Sequence, residues 1–223
     1  MNFHPTILRS RRKTFSIEIR RDGSLVVRAP LRSTAAQIEL ILQQKAKWIQ
    51  KKQEQVRAAA GAARQPRRWV EGEEILFLGK SYALHIVDSP RPLELSEGRF
   101  HLSKSAQPHA QRVFERWYRV QARRVLKERV ELYARQNGVV YQHVRIGGAR
   151  TRWGSCGAKG SLNFTWRLVM APIEVIDYVV VHELAHLEVK NHGKAFWEKV
   201  GSLMPDYQRR RDWLRQNGFI LVL

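Results

Sequence analysis

His182, His186 and His192 lie within eleven residues of one another, and Glu183 directly follows the first. Four residues of α-helix turn the chain through about 400°, so His182 and His186 project from one face, one turn apart. Two neutral imidazoles placed in this way can take adjacent corners of a Zn²⁺ tetrahedron at about 2.0–2.1 Å. Glu183 is offset by one residue, within reach of a water beside the ion but poorly aimed to be a ligand. A general base needs that position: the ion lowers the water's pKa toward ~7 and the carboxylate takes its proton. The surrounding "IEVIDYVVVHELAHLEV" is apolar on nearly every side and must lie buried. Two His and a Glu left unpaired there would be costly, whereas a metal and its water satisfy all three.

The third ligand is open between two residues. His192 stands six residues beyond His186, so it can fold back only if the helix ends first. "KNHG" supplies a break, because Asn and Gly tolerate the left-handed conformation that terminates helices. The histidine intervals match those of metzincins, but the residue three after His186 is Val189 where metzincins carry Gly. That excludes the label. The other candidate is Glu198, a carboxylate from a later helix, as in gluzincins.

The elements that must position these residues follow from periodicity. "FSIEIR", a turn at Asp22-Gly23 and "SLVVRAP" predict a β-hairpin. A helix capped by Ser33 or Thr34 follows to about Arg57, burying Ile38, Ile41, Leu42, Trp48 and Ile49. "AAAGAARQPRR" (Ala58 to Arg68) reads as a basic, mobile linker. "EILFLGKSYALHIV" predicts a hairpin turning at Gly79-Lys80, and "RFHLS" another strand. A long helix from about Gln107 to Gln136 has Val113, Trp117, Val120, Val125, Val130 and Tyr133 among its apolar positions and is stopped by Gly138. "VRIGGARTRWGSC" and "SLNFTWRLV" predict a second hairpin. Pro172 opens the histidine-bearing helix, a short helix ends near Trp197, and Pro205 starts the last.

Composition bounds the partners. The 223 residues carry forty Lys plus Arg against twenty Asp plus Glu, a formal charge of +20. Residues 1–70 hold sixteen basic and four acidic side chains, so the excess lies mostly away from the histidines. Such a field favours polyanions, including nucleic acid and nucleotides. Lys45, Lys47, Lys51 and Lys52, and Arg112, Arg116, Arg119 and Arg123, form stripes able to bind phosphate backbones without base specificity. The single cysteine, Cys156, excludes an intramolecular disulfide framework and a Cys-rich zinc site. No apolar run approaches the ~18 residues of a membrane span, and the N-terminus lacks a signal-peptide pattern. A soluble, cytoplasmic protein is expected, with oligomeric state open.

Beyond HExxH, "TRWGSC", "WRLVMAPIEVIDYVVVHELAHL", "NHGKAFW" and "MPDYQRRRDWL" resemble the YgjP-like metallopeptidases, relatives of the SprT-like and WLM zinc proteases. "RSRRKTFSIEIRRDGSLVVRAP" and "LGKSYAL" extend the resemblance over nearly the whole chain. It implies an α+β, zincin-like domain of minigluzincin build, with a mixed sheet packed on the HExxH helix. His182, His186 and His192 would be the ligands and Glu183 the base. One departure is visible: the family usually has Asn directly before the "WRL" tryptophan, where this chain has Thr165, with Asn163 two residues earlier.

In folds of this kind an edge strand beside the cleft receives the peptide by strand addition. Arg152, Trp153 and Ser155 are candidates to line that cleft, and Arg167 or Tyr207 to stabilise an oxyanion. Trp153 could equally be core and Arg152 a surface charge. Cys156 reads as a small buried hydrophobe. Glu188 could orient an imidazole, whereas Asp177 reads as a solvated or capping residue. The expectation is an N-terminal lobe (residues 1–68) and a peptidase-like domain (69–223), together a zinc-dependent peptidase. The alternatives are a metal-dependent nucleotide or phosphoanhydride hydrolase, and a nucleic-acid-binding module with a structural metal.

Overall fold

The computed structural model describes residues 3–20, 23–63 and 67–223. The chain divides into two compact units, Met1–Pro66 and Arg67–Leu223.

In the first unit, β2 (Ser16–Ile19) pairs antiparallel with β3 (Leu25–Pro30), with Ile17 opposite Val27. Gly23 of the expected turn has φ 82°, while Asp22 lies outside the described residues. A strand absent from the sequence reading, β1 (Thr6–Ser10), runs parallel to β3 on its other side. Every residue of β1 is exposed, so it carries no alternation to betray it. The expected single helix is two, α1 (Ala35–Gln44) and α2 (Ala46–Ala63), interrupted at Lys45. Thr34 caps α1 in a reciprocal capping box with Gln37. Ile38, Leu42 and Ile49 pack on Leu25, Val27 and Ala29, and Ile41 is half-buried. Trp48, expected inside, is 47% exposed; its neighbour Ile49 takes the inward position, and adjacent helical residues point about 100° apart. Residues Ala58 to Ala63 of the expected linker are helical, consistent with alanine's helix propensity. Arg64 to Pro66 lie outside the described residues.

The second unit begins with a four-stranded sheet of order β4-β5-β7-β6. It comprises β4 (Glu74–Phe77), β5 (Lys80–Val87), β6 (Leu93–Ser96) and β7 (Arg99–Ser103), with β5 and β7 parallel. The β4–β5 turn places Leu78 and Gly79 at φ 49° and 77°, the backbone a two-residue hairpin turn requires. Both turn amides donate onward, Leu78 to the carbonyl of Val169 (2.8 Å) and Gly79 to that of Met170 (3.1 Å). A Cβ at Gly79 would fall 2.8 Å from Pro172. After a 3-10 turn, α3 (Ala110–Gln136) buries Phe114, Tyr118, Ala122, Leu126 and Val130. Val120 is 53% exposed, off the inward stripe that Tyr118 and Ala122 define. Gly138 (φ 64°) closes α3, with Val139 N–H donating to Ala134 O and Gly138 N–H to Arg135 O.

A second sheet, of order β8-β10-β9, contains β8 (His143–Gly147), β9 (Gly154–Cys156) and β10 (Ser161–Thr165). β10 is central, parallel to β8 and antiparallel to β9, which is therefore an edge. The strand expected to continue through "WRLV" ends at Thr165, and Trp166–Met170 is a 3-10 helix. Pro172 then caps α4 (Ile173–Glu188), which is followed by α5 (Lys194–Leu203) and α6 (Tyr207–Asn217). Helices packed on mixed sheets give the α+β class. Among the described residues no helix is long and apolar enough to cross a membrane.

Candidate metal centre

α4 buries most of its residues from Val175 to Ala185. It holds its azimuth partly through Asp177, which is not solvated as expected: Arg129 of α3 grips it through Nε (2.6 Å) and Nη2 (2.8 Å). The helix ends where Val189 turns extended (φ −118°, ψ 106°). No residue from Asn191 to Gly193 has a positive φ. The expected left-handed break is thus replaced by an extended exit. Gly193 then starts α5, accepting a hydrogen bond from Trp197 N–H.

This exit folds His192 back over α4. Its Nε2 lies 3.0 Å from Nε2 of His186 and 3.0 Å from Nε2 of His182. Ligands about 2.0–2.1 Å from a tetrahedral ion would stand about 3.3 Å apart, so the three nitrogens suit one shared cation. His186 Nδ1 donates to the Val189 carbonyl (3.0 Å), which leaves its Nε2 lone pair for coordination. Burial, then the neighbouring imidazoles His186 and His192 and the Arg211 charge, push His182 down to about 3. It is therefore the neutral imidazole a ligand must be. Phe196, fully buried, seats the cluster with its ring 4.9, 4.4 and 4.7 Å from those of His182, His186 and His192. Glu198, the rival third ligand, is exposed beside Lys194 and outside the cluster.

Glu183 is 5% exposed, and its Oε2 has no hydrogen-bond partner among the described residues. Burial raises its pKa to about 7, opposed by the Arg152 charge. Against it lies the edge strand: a Cβ at Gly154 would come within 2.5 Å of Glu183 Oε1. Ser155 sits next on β9, its carbonyl accepting from Asn163 Nδ2 at 3.3 Å. Cys156 follows, half-buried, its thiol pushed up by burial while Lys190 opposes the shift. Thr165, in the family's Asn position, is buried with its hydroxyl unpaired among the described residues.

The remaining candidates separate. Tyr207 stacks on Trp197 (5.6 Å, 14°), and Trp197 in turn neighbours His182 and His192. Trp153 packs against the backbone of Gly218, and Arg167 lies over Trp166 while donating to Gly148 O; neither joins the histidines. Glu188 pairs with Lys199 at 2.8 Å rather than with an imidazole. The sequence reading missed Tyr178, whose ring meets His182 edge-on at 5.9 Å. It stands four residues before His182, on the same helical stripe, a signal that could have found it. It also missed Arg211, whose guanidinium caps Trp197 at 4.2 Å.

The family model described as "YgjP-like, metallopeptidase domain" matches residues 13–217. A UTP pyrophosphatase of Escherichia coli (strain K12) is 35% identical over 72 residues, 30% of this chain. The chain thus spans 43% of the length of that curated relative. Two solved metallopeptidase zymogens are also similar. Abylysin of Pyrococcus abyssi has a TM-score of 0.38 and 21% identity over 42% of this chain and 95% of its own. Jannalysin of Methanocaldococcus jannaschii has a TM-score of 0.37 and 18% identity over 41% and 94%.

Proposed function

The chain belongs to the YgjP-like metallopeptidase family, and from that premise we propose that it is a zinc-dependent hydrolase of peptide bonds with Glu183 as general base. The observation that carries this reading is the meeting of three imidazole Nε2 atoms beside a buried carboxylate. His182, His186 and His192 would hold the ion; a three-imidazole set suits zinc and leaves a position open, unlike the closed set of a structural site. A bound ion of this kind acidifies water and polarises an acyl oxygen. Glu183 accepts the proton of the attacking water and delivers it to the leaving amine. Its burial makes the carboxylate a keener proton acceptor than an exposed one. Phe196 fixes the imidazoles, and Tyr207 offers a hydroxyl to the oxyanion. The outer edge of β9, with Arg152 and Ser155, receives an extended peptide. Trp153 and Arg167 serve packing.

A second reading is hydrolysis of a nucleoside triphosphate, with the same water attacking phosphorus. It is favoured by three cations whose charges bear on the centre: Arg152 on Glu183, Arg211 on His182 and Lys190 on His186. The name of the E. coli relative points the same way. Metal analysis of the wild type, His192→Ala and Glu198→Ala, paired with peptide and nucleoside-triphosphate hydrolysis, tests both. One metal per chain, lost in His192→Ala and kept in Glu198→Ala, is expected. Cleavage of triphosphate and of no peptide would transfer the centre to the second reading. A wild type without metal would end both.

A further inference from the structure

We infer that the start of α2 is a binding surface for single-stranded nucleic acid, centred on Trp48. The indole is 47% exposed on a helix whose adjacent residue, Ile49, is fully buried, so the unit presents Trp48 to solvent while its core is complete without it. Lys45 lies three residues before Trp48, Lys51 three after and Lys52 four after. Ile49 N–H donates to the carbonyl of Lys45, which places Lys45 on the first turn of this helix. Helical residues three and four apart are surface neighbours, with Cβ atoms about 5–6 Å apart. Three lysines are therefore surface neighbours of one exposed indole. Lys45 and Lys51 are exposed and Lys52 half-buried. None of them makes an ion pair among the described residues; the pair found in this unit is Arg28–Glu18, at 3.5 Å. Glu54, six residues beyond Trp48, falls about 120° around the helix from it.

The chemistry of the surface chooses the ligand. Cations alone would fit any polyanion, but a solvent-facing indole among them adds a platform for a flat, uncharged ring. Unpaired bases on a phosphate backbone offer both features together, whereas a duplex hides its bases in its own stack. The lysines hold phosphates without reading sequence, and binding should weaken steeply with salt as counterions are released. This surface lies wholly within the first unit and does not depend on how the metal centre is read.

The test is fluorescence anisotropy of the intact protein with a labelled oligothymidylate of about 16 nucleotides, repeated with a duplex of that length. Salt is varied from about 50 to about 200 mM. Expected are salt-sensitive binding that favours the single strand, and about ten-fold weaker binding by Trp48→Ala. Trp48→Phe should stay within about three-fold of wild type because the stacking face is kept. The Lys51→Ala/Lys52→Ala double variant should lower the logarithmic salt slope by about 1.4, since each phosphate that a lysine neutralises on a single strand contributes about 0.7. Unchanged thermal unfolding of each variant keeps the comparison about binding. Equal affinity of wild type and Trp48→Ala, preference for the duplex, or absence of salt-sensitive binding would each overturn the inference. Anionic phospholipid vesicles form a last arm: binding to them without binding to the oligonucleotide would assign the surface to a membrane.

Discussion

Replacing Gly154 by alanine adds one methyl group against the carboxylate assigned as base. Built on the existing backbone, that Cβ lies 2.5 Å from Oε1, 2.7 Å from Cγ and 2.8 Å from Cδ of Glu183. Comfortable contact needs about 3.5 Å or more between carbon atoms, so the carboxylate or the strand must retreat by about 1 Å. The backbone of Gly154 lies outside the left-handed region, so alanine adds contact without torsional strain. Overpacking of this size costs about 1–3 kcal/mol of stability. A misplacement of about 1 Å in a reacting group costs on the order of 10²-fold in rate. The three imidazoles stand on other residues, so metal content should hold. The assay is kcat on whichever substrate the wild type cleaves, at matched metal occupancy, with thermal unfolding alongside. A metal-loaded Gly154→Ala enzyme of wild-type kcat would refute the placement of Glu183 against β9 as the working geometry. Loss of metal in the variant would show instead that β9 supports the ligands.

Other outcomes follow from the same geometry. Glu183→Gln should retain the metal and lose hydrolysis, measured as metal per chain and turnover; activity in the loaded variant would remove Glu183 as base. In the metal-free protein, Glu183 binds its proton up to about pH 7, against 4.5 for the ordinary group. The contribution of Glu183 to folded-state stability should therefore fall by about 3 kcal/mol as pH rises between those values, opposed by His182, which burial keeps neutral and which adds stability as pH rises toward 6.5. In denaturant titrations the wild type should lose about that amount relative to Glu183→Gln between pH 4.5 and about 7, and a pH-independent difference between the two would contradict it. Asp177→Ala strands Arg129 against α4 and should cost about 3 kcal/mol. For a chain of this size that is roughly 6–12 °C in Tm; a loss below about 2 °C would make the pair incidental. Chelation should lower Tm and added zinc restore it, because an ion that binds only the folded protein stabilises it by mass action.

The histidine spacing and apolar burial of α4 were legible because a 3.6-residue period and a metal-ligand interval are local properties of sequence. The hairpins β2–β3, β4–β5 and β9–β10 were legible for the same reason, with alternation flanking turn residues. What escaped was set by tertiary competition. Trp48 and Ile49 carry similar hydrophobicity, and only the packing of α2 decides which one faces inward. Exposed β1 offers no pattern at all. Asp177 looked solvated because its partner, Arg129, lies forty-eight residues away on another helix. The contact of Gly154 with Glu183 was equally invisible, since a glycine gives no chemical hint of what its missing side chain makes room for.

The β4–β5 turn has a consequence for how this protein could be cut or transplanted. Its two amides clasp the carbonyls of Val169 and Met170, and Gly79 abuts Pro172 at the threshold of α4. A hairpin far upstream in sequence thus acts as the hinge pin on which the histidine-bearing rod is hung. A fragment that began after β7 would keep every proposed ligand, the proposed base and the Arg129–Asp177 grip, yet lose the clasp at the threshold of that rod. Grafting the centre into another scaffold therefore means carrying the turn as well, and a bulky residue at position 79 would pry the two halves of this clasp apart from a distance.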